Sequence, residues 1–440
     1  MIEEAPTAGL PAALLEAMRA DSCRLAAAVG YRGLGTVEFI VADGRHHFLE
    51  VNPRLQVEHP VTEAVTGLDL VELQLRIADT GRLPLAQHEV RCDGHAFEAR
   101  VCAEDAAAGF LPATGRIALA RFPGPPLRVD AGVASGDMVT PHYDSMIAKV
   151  IAHAPTRAAA CALLQAGLAE TRVVGVVTNL QLLQQLLALP ETRNSTFQTR
   201  LIDERYGGVG VGVGAAALAP PEPPFEHRCA AALLWLERQR HAGPGLDLGC
   251  WSEGGMFTGW RLASAAEARP SALPSLLLKS GAHEWPVRYA QREADGAMRV
   301  AIGERIERAS LDALGGAQYL LRCDGIALEL SMHADAARIE VAGAMGHTTF
   351  DCTPYLGGAA LAAAPSGQLA APMMGKVVAI RARAGDHVSV GQTVIVLESM
   401  KMELRVDAPF DGIVESVRCA LGEMVARAAV LAIVHPAAPN

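Results

Sequence analysis

The sequence predicts an α+β, multidomain chain, on three observations. Helical and strand-like periodicities alternate through roughly the first 200 residues. Short β-rich runs punctuated by Gly and Asp crowd residues 275–352. The C-terminal end repeats itself at a constant offset.

Residues 11–29, PAALLEAMRADSCRLAAAV, read as a helix ended by Gly30. Strands follow at 35–40 and 47–52, joined by ADGRH. Asp43-Gly44 suits that hairpin, because both central residues of a tight turn take positive φ. Helices are expected near 61–66 and 70–79, with Asp69 capping the second and Gly81 ending it. Residues 95–153 mix strands and loops, and 156–170 and 178–188 read as helices. The stretch GGVGVGVGAAALAPPEPP, 207–224, invites a phosphate-loop reading. No Lys-Ser/Thr closes it and prolines replace the helix, so 207–225 is expected to be a flexible linker. A helix at about 226–240 precedes strand-like runs such as EWPVRYA, QYLLRC and IALELSM. Over 226–356 these predict a helix plus an antiparallel sheet or barrel of about seven strands. A second linker is expected at 357–370, GGAALAAAPSGQLA.

The last unit, 371–436, contains GKVVAIRARAGDHVSVGQTVIVL (375–397) and GIVESVRCALGEMVARAAVLAIV (412–434). Gly375, Gly385, Asp386, Val388, Val394 and Val396 match Gly412, Gly422, Glu423, Val425, Leu431 and Ile433, each 37 residues on. Two copies of a small β-motif imply a two-fold sandwich. Between them lies ESMKMEL, 398–404, where the chain must turn back, so Lys401 is expected at a hairpin tip. Lys401 could be an ordinary solvated turn lysine. Met400 and Met402 flank it, however, where burial does not explain them, and Met offers a soft recognition surface. A modified lysine is therefore favoured.

Composition narrows the function classes. Half of the 440 residues are hydrophobic and 20% are charged, as in a globular chain of several domains. The net charge is −10 with no basic block, which argues against nucleic acid or an anionic membrane as partner. No apolar run reaches the roughly eighteen residues of a membrane span. MIEEAPTAGLP is acidic and lacks an apolar signal core. The nine cysteines are scattered, odd in number and without C-x-x-C. That fits a reducing cytoplasm and speaks against a disulfide frame or structural zinc.

FLEVNPRLQVEHP, 48–60, carries the chemistry. If it is extended, Glu50, Asn52, Arg54, Gln56 and Glu58 share one face, and Val51, Pro53, Leu55 and Val57 the other. Glu50 and Asn52 offer oxygen ligands of the kind magnesium prefers, and Glu38 in the paired strand offers a third. Arg54 is a forked donor for an oxyanion, and Glu58 is placed to accept a proton. An amphipathic edge strand with a solvated polar face is the competing account, and Pro53 bears on the strict alternation.

Several stretches add a resemblance. ESMKMEL, APMMGKVVAI and APFDGIVESV resemble the biotinyl domain of biotin-dependent carboxylases, in which M-K-M marks the biotin-bearing lysine; Ser399 stands where Ala is usual. The related lipoyl domains share that fold and leave lipoylation as an alternative. GTVEFI, FLEVNPRLQVEHPVTEAVTGLDLVELQLRIA, HAFEARVCAED, PHYDSMIAKVI and VVGVVTNLQLL are similar, in that order, to the C-terminal half of biotin carboxylase, an ATP-grasp enzyme. The resemblance implies part of an ATP-grasp domain at 1–90 and the biotin carboxylase C-terminal domain at 91–206. Residues 226–356 resemble the subunit-docking (biotin transfer-like) domain of acyl-CoA carboxylases of methylcrotonyl-CoA and geranyl-CoA type. Residues 371–436 become the biotinyl carrier, a flattened all-β barrel.

By that resemblance Glu38, Glu50 and Asn52 fall at metal and nucleotide positions, for Mg or Mn. Arg54, Gln56 and Val57 fall at bicarbonate positions, and Glu58 on the base that deprotonates bicarbonate. Arg100 falls on the arginine that stabilises the biotin enolate. Asp144 matches a pocket residue or a structural turn, and His59 and His95 read as structural. ATP and bicarbonate would form carboxyphosphate, whose carbon dioxide carboxylates biotin held covalently on Lys401. Biotin protein ligase and a carboxyltransferase (beta) subunit are the implied partners in a cytoplasmic oligomer. The beta subunit selects the acyl-CoA, so acyl specificity is not legible in this chain. Biotin carboxylase begins well before the equivalent of residue 1, with its glycine-rich lid and nucleotide-binding lysines. A fragment binding ATP weakly or not at all is therefore expected. A non-catalytic biotin carrier and docking module is the second reading.

Overall fold

The computed structural model describes residues 1–206, 222–241, 275–281, 283–290, 293, 295–335, 338–355, 367–399, 402–426 and 429–436. Most of both proposed linkers, together with Met400 and Lys401, lies outside the described residues.

The carboxylase-like part opens on β1 (Ile2–Ala5) and helix α1 (Ala12–Ala28). A hairpin of β2 (Thr36–Ala42) and β3 (Arg45–Asn52) follows, turning at Asp43 and Gly44 with φ of 51° and 70°. Helix α2 (His59–Thr66) begins two residues before its predicted start. Helix α3 (Leu70–Thr80) is capped by the Asp69 carboxylate, which accepts the Glu72 amide at 2.8 Å, and is ended by Gly81 at φ 70°. No residue of α1 is buried, and Phe48 and Leu49 on β3 are about half exposed.

β4 (His95–Cys102), β5 (Arg128–Ala131) and β6 (Met146–Ala154) join β1 in an antiparallel sheet, ordered β1-β4-β6-β5. The period-two alternation of HAFEARVC splits this sheet chemically. Phe97, Ala99 and Val101 enter a core with Val150 and Ala152, under helices α4 (Arg157–Glu170) and α5 (Leu180–Ala188). Ala96, Glu98 and Arg100 take the opposite face, where Ala96 packs against Val61 and Val65 of α2. Partnered positions continue this face: Glu3 opposite Glu98, Lys149 opposite both Arg100 and Asp130, and Ile151 opposite both Glu98 and Arg128.

Helix α6 (Phe225–His241) runs inside a closed barrel of eight antiparallel strands, β7–β14, spanning Leu276–Ser280 to Gly346–Pro354. Phe225 and Cys229–Leu236 are buried on every side of the helix, and Tyr289 Oη donates to the Ala232 carbonyl at 2.8 Å. The strand missing from the sequence reading is β10 (Arg305–Gly315), RIERASLDALG. Ala309 is its buried residue and Ile306 points outward, so no apolar alternation marks it.

The C-terminal unit has two four-stranded sheets. Its first strand, β15 (Gln368–Ala370), occupies what the sequence assigned to the end of a linker. It pairs with the last strand, a contact the local sequence does not announce. The repeat is structural: β16 (Gly375–Ile380), β17 (His387–Val388) and β18 (Thr393–Ser399) recur 37 residues on as β20 (Gly412–Val417), β21 (Met424–Val425) and β22 (Val430–Pro436). β19 (Met402–Asp407) links the halves. A Cβ at Gly375 would stand 2.9 Å from the Glu398 carbonyl oxygen, and one at Gly412 2.2 Å from that of His435. The two glycines thus meet equivalent carbonyls, and the close approach explains their repetition.

Candidate active site

Site-forming side chains come from the β2–β3 hairpin, the segment before α2, and the polar face of the β1-β4-β6-β5 sheet. Glu38 and Glu50 are directly opposed across the hairpin. Like charges so placed repel unless a donor or cation lies between them. Here Asn52 Nδ2 donates to Glu38 Oε1 at 2.8 Å and to Glu50 Oε1 at 3.2 Å. Arg54 Nη2 donates to Asn52 Oδ1 at 3.3 Å. Among the described residues no three His, Cys, Asp or Glu side chains gather as a metal-ligand set. Two carboxylates and an amide are nevertheless the hard oxygen donors a magnesium–nucleotide complex accepts, with phosphates and water completing its shell.

The extended face expected through Glu58 is not formed. β3 ends at Asn52, and Pro53, which has no N–H for a ladder, is the central residue of a tight turn in which Arg54 N donates to the Asn52 carbonyl at 2.9 Å. The chain folds back instead of running on. That return buries Gln56 and brings its Nε2 to Glu38 Oε1 at 2.9 Å. His59 Nδ1 lies 2.7 Å from the Gln56 carbonyl. His95 opens β4, with its Nδ1 buried and unpartnered among the described residues.

Glu58 precedes α2, and its Oε2 accepts Arg100 Nη2 at 3.0 Å; the same nitrogen lies 2.8 Å from Glu3 Oε1. Lys149 Nζ donates to the Val57 carbonyl at 3.1 Å. Asp144 lies apart: its Oδ1 accepts the Met146 amide at 3.0 Å in an exposed turn opening β6. Of the carrier residues, Met402 opens β19 opposite Ser399, the last residue of β18.

Sequence reasoning missed the acidic and basic partners beneath the site: Glu3, Glu63, Glu98, Arg128, Asp130 and Lys149. The alternation of β4 and the Arg-x-Asp of β5 were the available signals, but only sheet pairing sets them on one face. Arg128 Nη1 pairs with the buried Glu63 carboxylate at 2.7 Å, and its Nε with Asp130 at 2.9 Å. Burial pushes the Asp130 carboxyl up, yet Arg128 and Lys149 outweigh it and hold it below its ordinary value. Glu98 is wholly buried and neither of its oxygens has a hydrogen-bond partner among the described residues. Burial raises its pKa to about 7; Lys149 opposes this and Glu3 adds to it. A carboxyl raised in the folded state costs nothing below its ordinary value near 4.5 and destabilises progressively as pH rises through 7. Glu98→Gln is therefore expected to stabilise this domain by roughly 3 kcal/mol at pH 8 and hardly at all at pH 4. Urea unfolding of both forms across that range measures it, and a difference independent of pH contradicts the account.

Four family models match the chain. Residues 1–86 match "Carbamoyl-phosphate synthase L chain, ATP binding domain" and 98–204 match "Biotin carboxylase C-terminal domain". Residues 224–353 match "Methylcrotonyl-CoA carboxylase, alpha-subunit, BT domain" and 367–434 match "Biotin-requiring enzyme". The mitochondrial methylcrotonoyl-CoA carboxylase subunit alpha of Oryza sativa subsp. japonica is 33% identical, over 100% of this chain and 63% of that protein. Its Mus musculus counterpart is 32% identical over 98% and 60%. Mitochondrial pyruvate carboxylase of Homo sapiens is 44% identical over 46% of this chain and 18% of its own. The chain thus spans about three fifths of its methylcrotonoyl-CoA carboxylase relatives.

Proposed function

The chain is a homologue, along almost its entire length, of methylcrotonoyl-CoA carboxylase alpha subunits, and from that premise we propose that it is the biotin-carboxylating and biotin-carrying chain of an acyl-CoA carboxylase. ATP and bicarbonate are its substrates, and a carboxyltransferase beta subunit receives the carboxyl and chooses the acyl-CoA. Glu38, Glu50 and Asn52 hold the divalent cation of the nucleotide; their opposed carboxylates, bridged by one amide, fit a cation. Arg54, Gln56 and Val57 hold bicarbonate. Glu58 takes its proton, and Arg100 faces the charge that develops on the acceptor. Biotin on Lys401 supplies the nitrogen that accepts the carboxyl, and Met400 and Met402 mark that lysine for the biotin protein ligase. Asp144 we assign to its turn.

One observation carries this reading: Glu58 and Arg100, 42 residues apart, meet at 3.0 Å beside a loop whose Gln56 is tied to Glu38. That contact supports reading Glu58 as the proton acceptor and Arg100 as the cation that stabilises the developing anion. Among the described residues no helix is long and apolar enough to cross a membrane, and all eight described cysteines are free thiols.

ATP- and bicarbonate-dependent carboxylation of free biotin is the test. In the chain extended to the length of its relatives, carboxybiotin formation, lost on removal of magnesium, is expected. Biotinylation of the chain without carboxylation, even when it is extended to the length of its relatives, would reduce it to a carrier and docking module.

A further inference from the structure

An ammonium group set between a sheet and a helix is costly to dehydrate, and it persists there where partners offset the cost. Lys149 on β6 is such a group, 9% exposed. Its Nζ donates to the Val57 carbonyl at 3.1 Å and lies 3.5 Å from Asp130 Oδ2. Val57 is 92 residues away in sequence, so the contact locks tertiary structure and is not part of a local turn.

The sheet register gives the contact its meaning. Lys149 is the cross-strand partner of Arg100 on one side and of Asp130 on the other. Partnered side chains share a face and stand side by side. Two neighbouring cations therefore hold consecutive residues: Arg100 the carboxylate of Glu58, Lys149 the backbone of Val57. His59 secures the carbonyl of the residue before them, Gln56. Each of residues 56, 57 and 58 is thus held from a different point.

We propose that Lys149 is a positioning residue for bicarbonate, acting through the Val57 peptide and not by touching the anion; this rests on reading 54–58 as the bicarbonate loop. The planar peptide transmits the hold: fixing the Val57 carbonyl toward the sheet fixes the Glu58 N–H on the opposite side of the same plane. It also fixes where the Glu58 side chain leaves the backbone. The Lys149 nitrogen is engaged by the Val57 carbonyl and by Asp130, which suits a hold on the peptide. Asp130, held in turn by Arg128, keeps the ammonium from swinging out.

Hydrogen–deuterium exchange on the full chain tests the hold without substrate. Lys149→Met keeps the stem and removes the donor. It is expected to speed amide exchange within 53–60 while the barrel and the C-terminal sheets stay as in wild type. Lys149→Arg restores much of the protection. Asp130→Asn approaches from the far side and is expected to act in the same direction more weakly, so a poorly folded Lys149→Met does not close the question. In the assembled enzyme, Lys149→Met is expected to raise the bicarbonate KM roughly tenfold, the loss of one charge-assisted hydrogen bond, with kcat changed much less. Unchanged exchange at 53–60 in these variants overturns the proposal, as does a fall in kcat at constant KM. A wild-type enzyme without bicarbonate-dependent activity removes the functional reading of the site instead. The exchange experiment then still decides whether Lys149 holds the loop.

Discussion

Glu58→Gln is expected to lower bicarbonate-dependent ATP hydrolysis and biotin carboxylation by roughly 10²–10⁴-fold, the usual contribution of a positioned general base. The measurement belongs in a subunit with the full length of its relatives, of which this chain spans 63% and 60% in the two rice and mouse comparisons. Gln has the shape of Glu and cannot take the bicarbonate proton. Its amide still reaches the space beside Arg100, which keeps Glu3 as a partner at 2.8 Å. The Glu58 side chain is one-third exposed, so the lost ion pair should cost under about 1 kcal/mol in stability. A drop in rate with an unchanged unfolding midpoint is the expected pattern. Full activity in Glu58→Gln would assign the base elsewhere and leave the Arg100 contact as a structural clamp.

Lys401→Arg is expected to abolish biotinylation outright. Arg keeps the positive charge but offers no primary amine to acylate, so the effect is all or none. The described ladder closes at the Ser399–Met402 pair, and Ser399 Oγ donates to the Met374 carbonyl at 2.9 Å. These contacts involve neither residue 400 nor 401, and the carrier core rests on residues such as Val377, Leu397, Val414 and Leu431. Folding should therefore be unaffected. Co-expression with a biotin ligase, an avidin blot and intact mass read the result. An avidin signal that survives Lys401→Arg places biotin on another lysine. A lipoyl mass after co-expression with a lipoyl ligase, with no avidin signal, makes the domain a lipoyl carrier.

Much of the architecture was legible in the residues. The hairpin turn at Asp43-Gly44, the Asp69 cap and the 37-residue repeat all appear where local chemistry placed them. Such features depend on a few neighbouring side chains and backbone angles, which the linear order states directly. Strand β10 and strand β15 escaped because each is defined by its partners: one has little apolar alternation, the other pairs with the far end of its domain.

For the candidate site, the sequence by itself named the candidates: Glu38, Glu50, Asn52, Arg54, Gln56 and Glu58 lie within two short stretches, and Arg100 and Lys401 in motifs of their own. It did not determine how they meet. An unbroken strand would have set Glu58 some six residues beyond Asn52, roughly 20 Å along one face. Pro53 ends the ladder, and the chain returns on itself to bury Gln56 against Glu38. The supports beneath, Lys149 to Val57 and Arg100 to Glu58, join residues 92 and 42 positions apart. Only the register of the β1-β4-β6-β5 sheet decides those contacts, because the pairing of distant strands selects which charged side chains share a face, and no local pattern encodes that choice.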